Sequence, residues 1–66
     1  MQIVFNGKQH ELEAGTTIAR LLQQLNLQPR YVAVEVNREL VPRDCHAQHV
    51  IQPGEQLEVV TLVGGG

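Results

Sequence analysis

The chain has 66 residues, a formal net charge of −2 and 42% hydrophobic residues, and Phe5 and Tyr31 are its two aromatic side chains. A chain of this length forms one small domain with too little interior for a large active-site cavity. Its charges are scattered, so we expect no basic face for nucleic acid and no binding to an anionic membrane.

The redox and targeting features indicate a cytoplasmic protein. The single cysteine, Cys45, cannot form an internal disulfide, which is typical of a reducing compartment. Residues 1–8, MQIVFNGK, lack the charged and apolar regions of a signal peptide, and no apolar run approaches the length that spans a bilayer.

The first two predicted elements form a β-hairpin. Residues 2–5, QIVF, alternate in polarity, and residues 8–13, KQHELE, return as a second strand. Asn6 and Gly7 between them are residues that accept the positive φ angles of a type I′ turn.

The segment after Gly15 predicts the main helix. Thr16 or Thr17 can accept a hydrogen bond from a free amide of the first turn. Asn26 tolerates the left-handed conformation that ends helices, and Pro29 prevents continuation. The apolar stripe at helical spacing consists of Ile18, Leu21, Leu22 and Leu25.

Three further segments complete the predicted sheet. Residues 31–36, YVAVEV, alternate clearly, and Asn37-Arg38 forms a turn into a short strand at 39–41 that Pro42 ends. A polar loop is expected at 43–49. Pro53-Gly54 suits a type II turn, and residues 56–63, QLEVVTLV, read as the last strand.

This order of elements predicts an α+β domain of the ubiquitin-like β-grasp class at residues 1–63. A mixed sheet of four to five strands packs on one main helix, with the last strand in a central position. A ferredoxin-like fold or a small barrel stays possible from pattern alone, although the second helix of a ferredoxin-like fold is missing. Residues 64–66 form a flexible glycine tail.

The residues that most resemble a chemical site lie in the 43–49 loop. Cys45, His46 and His49 have a C-H-x-x-H spacing, but a structural zinc site closes with four ligands and the remaining histidine, His10, is distant. A nucleophilic Cys45 would need a base and a substrate pocket, and no pocket is evident. We interpret the loop as neither a metal site nor a catalytic site.

Charged residues near the second hairpin permit two interpretations. Arg38 and Arg43, close in sequence to Glu35 and Glu39, are either contacts for a partner or simply solvated charges. Lys8 is the only lysine, which gives no support to a modifier that builds chains on its own surface.

The glycine tail predicts a different kind of chemistry. A terminal carboxylate is a poor electrophile, but ATP converts it to a mixed anhydride with AMP that a sulfur or nitrogen nucleophile attacks. Gly66 would supply that carboxylate. Gly64 and Gly65 lack side chains and so would pass through a narrow channel into the active site of a partner.

The chain resembles the thiamine-pathway sulfur carrier proteins, the ThiS family, over essentially its whole length. The matching stretches are MQIVFNG, TTIARLLQQL, VAVEVNRELVPR, PGEQLEVV and the VGGG end, with Asn37, the VPR at 41–43 and Gly54 adding specificity. Two positions depart from the common pattern: His46 stands where many relatives carry Trp, and Glu55 where they commonly carry Asp.

The resemblance implies a carrier that performs no catalysis and binds no cofactor. An E1-like adenylyltransferase of the ThiF type would use ATP to activate the Gly66 carboxylate. Sulfur from a cysteine desulfurase or related donor would convert it to a thiocarboxylate, and thiazole synthase of the ThiG type would take that sulfur. We expect the apolar residues Val60, Leu62 and Val63 to dock on both enzymes.

Three alternatives remain open at this point. The small subunit of molybdopterin synthase shares the fold and the Gly-Gly end. A protein modifier would present the activated carboxylate to lysine amines instead of sulfur. A plain interaction module would have an inert tail.

Overall fold

The computed structural model describes residues 1–62, so the predictions made for Val63, Gly64, Gly65 and Gly66 concern residues outside the described part. Two short 3-10 turns, Pro29–Tyr31 and Arg43–Cys45, accompany the regular elements. These elements are β1 (Gln2–Phe5), β2 (Lys8–Glu11), α1 (Ile18–Gln24), β3 (Val32–Val36), β4 (Glu39–Val41) and β5 (Gln56–Thr61).

The five strands form one mixed sheet in the order β2-β1-β5-β3-β4. The last strand lies at the centre, parallel to β1 and antiparallel to β3. The predicted β-grasp arrangement and the central position of the last strand are therefore confirmed. β5 is hydrogen-bonded on both sides, so the strand that precedes the glycine residues is an interior strand of the sheet.

Both hairpins have the turn that the sequence predicts. Asn6 and Gly7 have φ angles of 49° and 81°, and Asn37 and Arg38 have φ angles of 51° and 71°. Two consecutive positive φ angles define a type I′ turn, whose twist matches that of the flanking strands. Arg38 is the unusual member, because a long side chain seldom adopts this left-handed conformation.

Strand ends differ from the predicted ones by one or two residues. β2 ends at Glu11 rather than residue 13, because its partner in the register, Gln2, is the first residue of β1. β3 starts at Val32 rather than residue 31, because Pro29 initiates a 3-10 turn that includes Tyr31.

The helix has the predicted cap and the predicted buried stripe. The Thr17 hydroxyl accepts a hydrogen bond from the Arg20 amide at 3.2 Å, and Asn26 follows the helix with a φ of 58°. Both features stabilise a helix of only seven residues. Its inner face joins the core, which contains Ile3, Leu12, Ile18, Leu21, Leu22, Val32, Val34, Val36, Ile51, Leu57 and Val59.

Residues 43–49 form the predicted loop, which is mostly exposed and contains one 3-10 turn at Arg43–Cys45. His46 is buried, and its carbonyl accepts a hydrogen bond from the Ala19 amide at 3.1 Å. The His49 carbonyl accepts one from the Ile18 amide, also at 3.1 Å. The loop thereby satisfies two amides of the first helical turn, which have no partner within a helix.

Candidate functional site at the end of the central strand

The Asn6 side chain holds β5 where its neighbour β1 has already ended. Its amide nitrogen donates to the Val59 carbonyl at 3.2 Å, and its carbonyl oxygen accepts from the Val59 amide at 2.8 Å. A side-chain amide carries both a donor and an acceptor, so it can pair with a strand as a backbone peptide does. Asn6 thus extends the β1 edge along β5, in the direction of the tail.

Asn37 makes a similar contact at the other end of β5. Its backbone amide donates to the Gln56 carbonyl at 2.7 Å, and its side-chain oxygen accepts from the Gln56 amide at 3.0 Å. Asn6 and Asn37 therefore fix the central strand at its start and along its length. We refer to these two contacts as the asparagine clamps.

The backbone order of the sheet extends to Leu62. Thr61 pairs with Val32, and the Leu62 amide donates to the Tyr31 carbonyl at 2.7 Å. The proposed reactive residue, Gly66, follows four residues later, and four fully extended residues span at most about 14 Å. A partner that reaches the Gly66 carboxylate must therefore approach the surface around Leu62 closely.

Two of the three predicted docking residues are exposed, as the prediction requires. Val60 is 56% exposed and Leu62 is 49% exposed, whereas the third, Val63, lies outside the described residues. Along β5 the side chains alternate, with Leu57 and Val59 buried against the helix. Val60 therefore lies on the opposite face of the sheet, and Leu62, two residues later, is on the same side as Val60.

Two arginines lie beside Leu62, the last residue that the structure describes. Arg30, Arg43 and Leu62 line one shallow cleft together with Pro29 and Val32. The Arg30 guanidinium lies 5.0 Å from the centre of the Tyr31 ring, close enough for a cation–π contact. Within residues 1–62, neither arginine forms an ion pair, so both guanidinium groups are available to acidic groups of a partner.

The cluster of cysteine and histidine side chains in the 43–49 loop is separated in the structure. His46 points into the protein, where its Nε2 lies 3.1 Å from the Val41 carbonyl oxygen. Cys45 is exposed and lines a shallow cleft with His49 and Glu55. The distance between His49 Nε2 and Glu55 Oε1 is 3.8 Å. Among residues 1–62, no three His, Cys, Asp or Glu side chains are grouped closely enough to share a metal ion.

The charged pair suspected from sequence, Arg38 or Arg43 with Glu35 or Glu39, forms no ion pair in the described residues. Sequence reasoning missed the asparagine clamps and the direct opposition of Glu35 and Glu58 across β3 and β5. The sequence places Asn6 and Asn37 in turns but does not indicate their side-chain contacts with β5, and the opposition of the glutamates depends on the strand register.

None of the helices in residues 1–62 combines the length and the apolar character needed to cross a membrane. This finding agrees with the absence of a long apolar run in the sequence.

Comparison with known proteins gives one consistent family. The model of the ThiS family matches residues 3–66. The sulfur carrier protein ThiS of Escherichia coli strain K12 is 38% identical, and the alignment covers all of both chains. The crystal structure of the thiamine biosynthesis protein ThiS from Geobacter metallireducens superimposes with a TM-score of 0.85 at 30% identity, again over all of both chains.

Two larger proteins contain a region similar to the whole chain. Thiazole synthases of Magnetococcus marinus and Paramagnetospirillum magneticum are 46% and 41% identical over 66 residues. The chain spans only 20% of the length of each, so the similarity concerns one part of those proteins.

Proposed function

This chain belongs to the ThiS family, and we propose that it carries sulfur for thiamine biosynthesis as a thiocarboxylate on Gly66. The observation that carries the proposal is the match to the Escherichia coli sulfur carrier over the full length of both chains. The structure supports it by anchoring the strand that leads to Gly66 at the centre of the sheet. The domain would then serve as a rigid handle that two enzymes recognise.

The proposed chemistry proceeds in two stages at the Gly66 carboxylate. In the first, an E1-like adenylyltransferase catalyses attack of a carboxylate oxygen on the α-phosphorus of ATP, which releases pyrophosphate and forms an acyl adenylate. In the second, a persulfide sulfur displaces AMP, and a thiol then cleaves the resulting acyl disulfide to leave the thiocarboxylate. The carrier itself contributes the carboxylate and performs no catalysis.

Thiazole synthase is the proposed acceptor of the sulfur. Two thiazole synthases contain a region similar to the entire chain, which supports a functional connection between carrier and synthase. The adenylyltransferase and a cysteine desulfurase as sulfur source complete the proposed set of partners. Because the first step consumes ATP, we expect the carrier to act in the cytoplasm.

We place the docking surface for these enzymes around Val60, Leu62 and Val63. Val60 and Leu62 are exposed apolar side chains on the strand that leads to the reactive residue. A few well-packed side chains near the centre of an interface contribute most of its binding energy. Arg30 and Arg43 border Leu62 and would add charged contacts at the rim.

A growth experiment tests the proposed function. We expect deletion of the gene to impose a requirement for thiamine or its thiazole moiety, without loss of molybdoenzyme activity. Wild-type protein and a Cys45→Ser variant should restore growth, because the exposed Cys45 lies outside the proposed chemistry. A variant that lacks Gly66 should not. Loss of molybdoenzyme activity instead would identify a molybdopterin-pathway carrier, and protein adducts in a denaturing pull-down would identify a protein modifier.

A further inference from the structure

The sheet face opposite the helix carries two glutamates that face each other directly. Glu35 on β3 and Glu58 on β5 are partners in the antiparallel register. Their neighbours Val34, Val36, Leu57 and Val59 are buried on the helix side, so both carboxylates lie on the open face. Directly opposed residues have Cβ atoms about 5 Å apart, and like charges at this position destabilise a sheet.

No cation within the described residues offsets this repulsion. The ion pairs of residues 1–62 join the N-terminus to Glu11 and His49 to Glu55. Both Glu35 and Glu58 are exposed, and neither side chain takes part in a hydrogen bond in that part of the chain. The isolated protein therefore retains an unfavourable contact that a single substitution would remove.

Apolar side chains surround the two glutamates on the same face. Ala33 and Val60 form the adjacent pair of the register, and Leu40, 64% exposed, lies opposite Glu35 on β4. This apolar surface continues along β5 through Val60 toward Leu62. We call the surface formed by Ala33, Glu35, Leu40, Glu58 and Val60 the open-face patch.

We propose that the open-face patch docks on a basic, partly apolar surface of the enzyme that activates the carrier, with an Arg or Lys of that enzyme between Glu35 and Glu58. This inference rests on the proposed function. An enzyme that brings the Gly66 carboxylate to ATP must attract two anions, so cationic groups are required around its active site. The short tail holds the patch near the entrance of that site, where the two carboxylates complement the positive charge.

The docked state also gives the destabilising pair a function. When the patch is covered, apolar neighbours exclude water from the two carboxylates, and the attraction to a cation between them becomes stronger. A bidentate arginine suits two carboxylates held at a fixed separation on adjacent strands. The repulsion in the free carrier thus becomes attraction in the complex.

The test measures pyrophosphate release by the purified activating enzyme at increasing concentrations of carrier. A variant with Glu35→Gln and Glu58→Gln should raise the KM for the carrier about tenfold, with little change in kcat. The dependence of kcat/KM on ionic strength between about 50 mM and about 300 mM salt should become weaker. A variant with Glu11→Gln and Glu13→Gln removes the same charge at the opposite edge of the sheet, on and after β2, and should retain the wild-type KM.

A second variant separates binding from folding. Glu58→Lys converts the repulsive pair to an attractive one, so the melting temperature of the free carrier should stay the same or rise. The same variant should raise the KM more than tenfold, on the order of a charge reversal at an interface. Reduced activity in a carrier that is more stable cannot result from unfolding.

Each outcome has one meaning. An unchanged KM and unchanged salt dependence in both variants, with an active wild-type carrier, would overturn the docking inference alone. An effect confined to sulfur transfer to thiazole synthase would overturn it too, because the activating enzyme is the partner proposed here. A wild-type carrier that yields no pyrophosphate, with an enzyme active on its own carrier, would overturn the proposed function as well.

Discussion

Asn6 combines two roles that a single residue seldom fills. Its backbone adopts the left-handed conformation of a type I′ turn, and its side chain makes two hydrogen bonds to Val59 on the central strand. Glycine would accept the same backbone angles but would make neither side-chain bond. The choice of asparagine at this turn is therefore explained by the contact with β5.

We predict that Asn6→Gly lowers the free energy of unfolding by about 2 kcal/mol, from two lost hydrogen bonds at about 1 kcal/mol each. Asn26→Gly is the matched control, because Asn26 has a similar φ of 58° and ends a helix without a side-chain clamp. Its effect should stay within about 0.5 kcal/mol. Equal losses in the two variants, measured by urea denaturation, would refute the clamp.

His46 is a buried polar residue with one satisfied nitrogen. Because the Val41 carbonyl only accepts hydrogen bonds, Nε2 carries the proton and donates to it at 3.1 Å. Nδ1 is buried without a partner in the described residues. The side chain is buried beside the start of α1, where the His46 carbonyl also accepts from the Ala19 amide.

Replacing His46 by Ala should cost about 2 to 4 kcal/mol, because the change leaves a cavity and an unpaired carbonyl. Cys45→Ala next to it removes an exposed side chain and should change stability by less than about 0.5 kcal/mol. Thermal melts followed by circular dichroism distinguish the two. A tolerated His46→Ala would show that the 43–49 loop does not depend on this side chain.

At the scale of elements, the β3–β4 hairpin contains a strained turn. Arg38 has a φ of 71°, a conformation that costs a non-glycine residue about 1 kcal/mol. Arg38→Gly should therefore raise the free energy of unfolding by about 1 kcal/mol, measured by the denaturation midpoint. Arg43→Gly deletes the same side chain at a residue outside the positive-φ set and should lower it by about 1 kcal/mol. If both substitutions lower the free energy of unfolding, the Arg38 backbone is not strained.

The elements that the sequence predicts well are those whose signals are local. Asn6-Gly7, the Thr17 cap and the stripe from Ile18 to Leu22 each depend on residues within one or two turns of chain. The capping of α1 by carbonyls of His46 and His49 depends on contacts between distant segments. Hydrophobic periodicity carries no information about such contacts, so the sequence predicts the 43–49 loop but not its role as a cap of α1.

The features of the candidate site also differ in whether local sequence predicts them. The tail chemistry at Gly66 was inferred from sequence, and the exposure of Val60 and Leu62 follows from strand alternation. The opposition of Glu35 and Glu58 required the register of β3 and β5, which a one-residue shift would destroy. A pattern of charges across neighbouring strands can therefore be recognised only when the strand register is known.

At the scale of the whole molecule, the proposed role of the domain is to bring a reactive terminus to two enzymes. We predict that Leu62→Glu lowers kcat/KM for adenylation about tenfold, because a charge replaces an apolar anchor at the base of the tail. Val50→Glu places the same charge on another exposed apolar residue, away from β5, and should have little effect. Normal adenylation of the Leu62→Glu variant would remove Leu62 from the docking surface.

The central claim is that Gly66 is converted to a thiocarboxylate. Its most direct test is the intact mass of the protein after incubation with the activating enzyme, ATP and a persulfide donor, beside a variant that lacks Gly66. We predict a mass gain equal to the replacement of one oxygen by sulfur, absent from the deletion variant. An unchanged mass, with an enzyme that converts another carrier under the same conditions, would contradict the sulfur-carrier function.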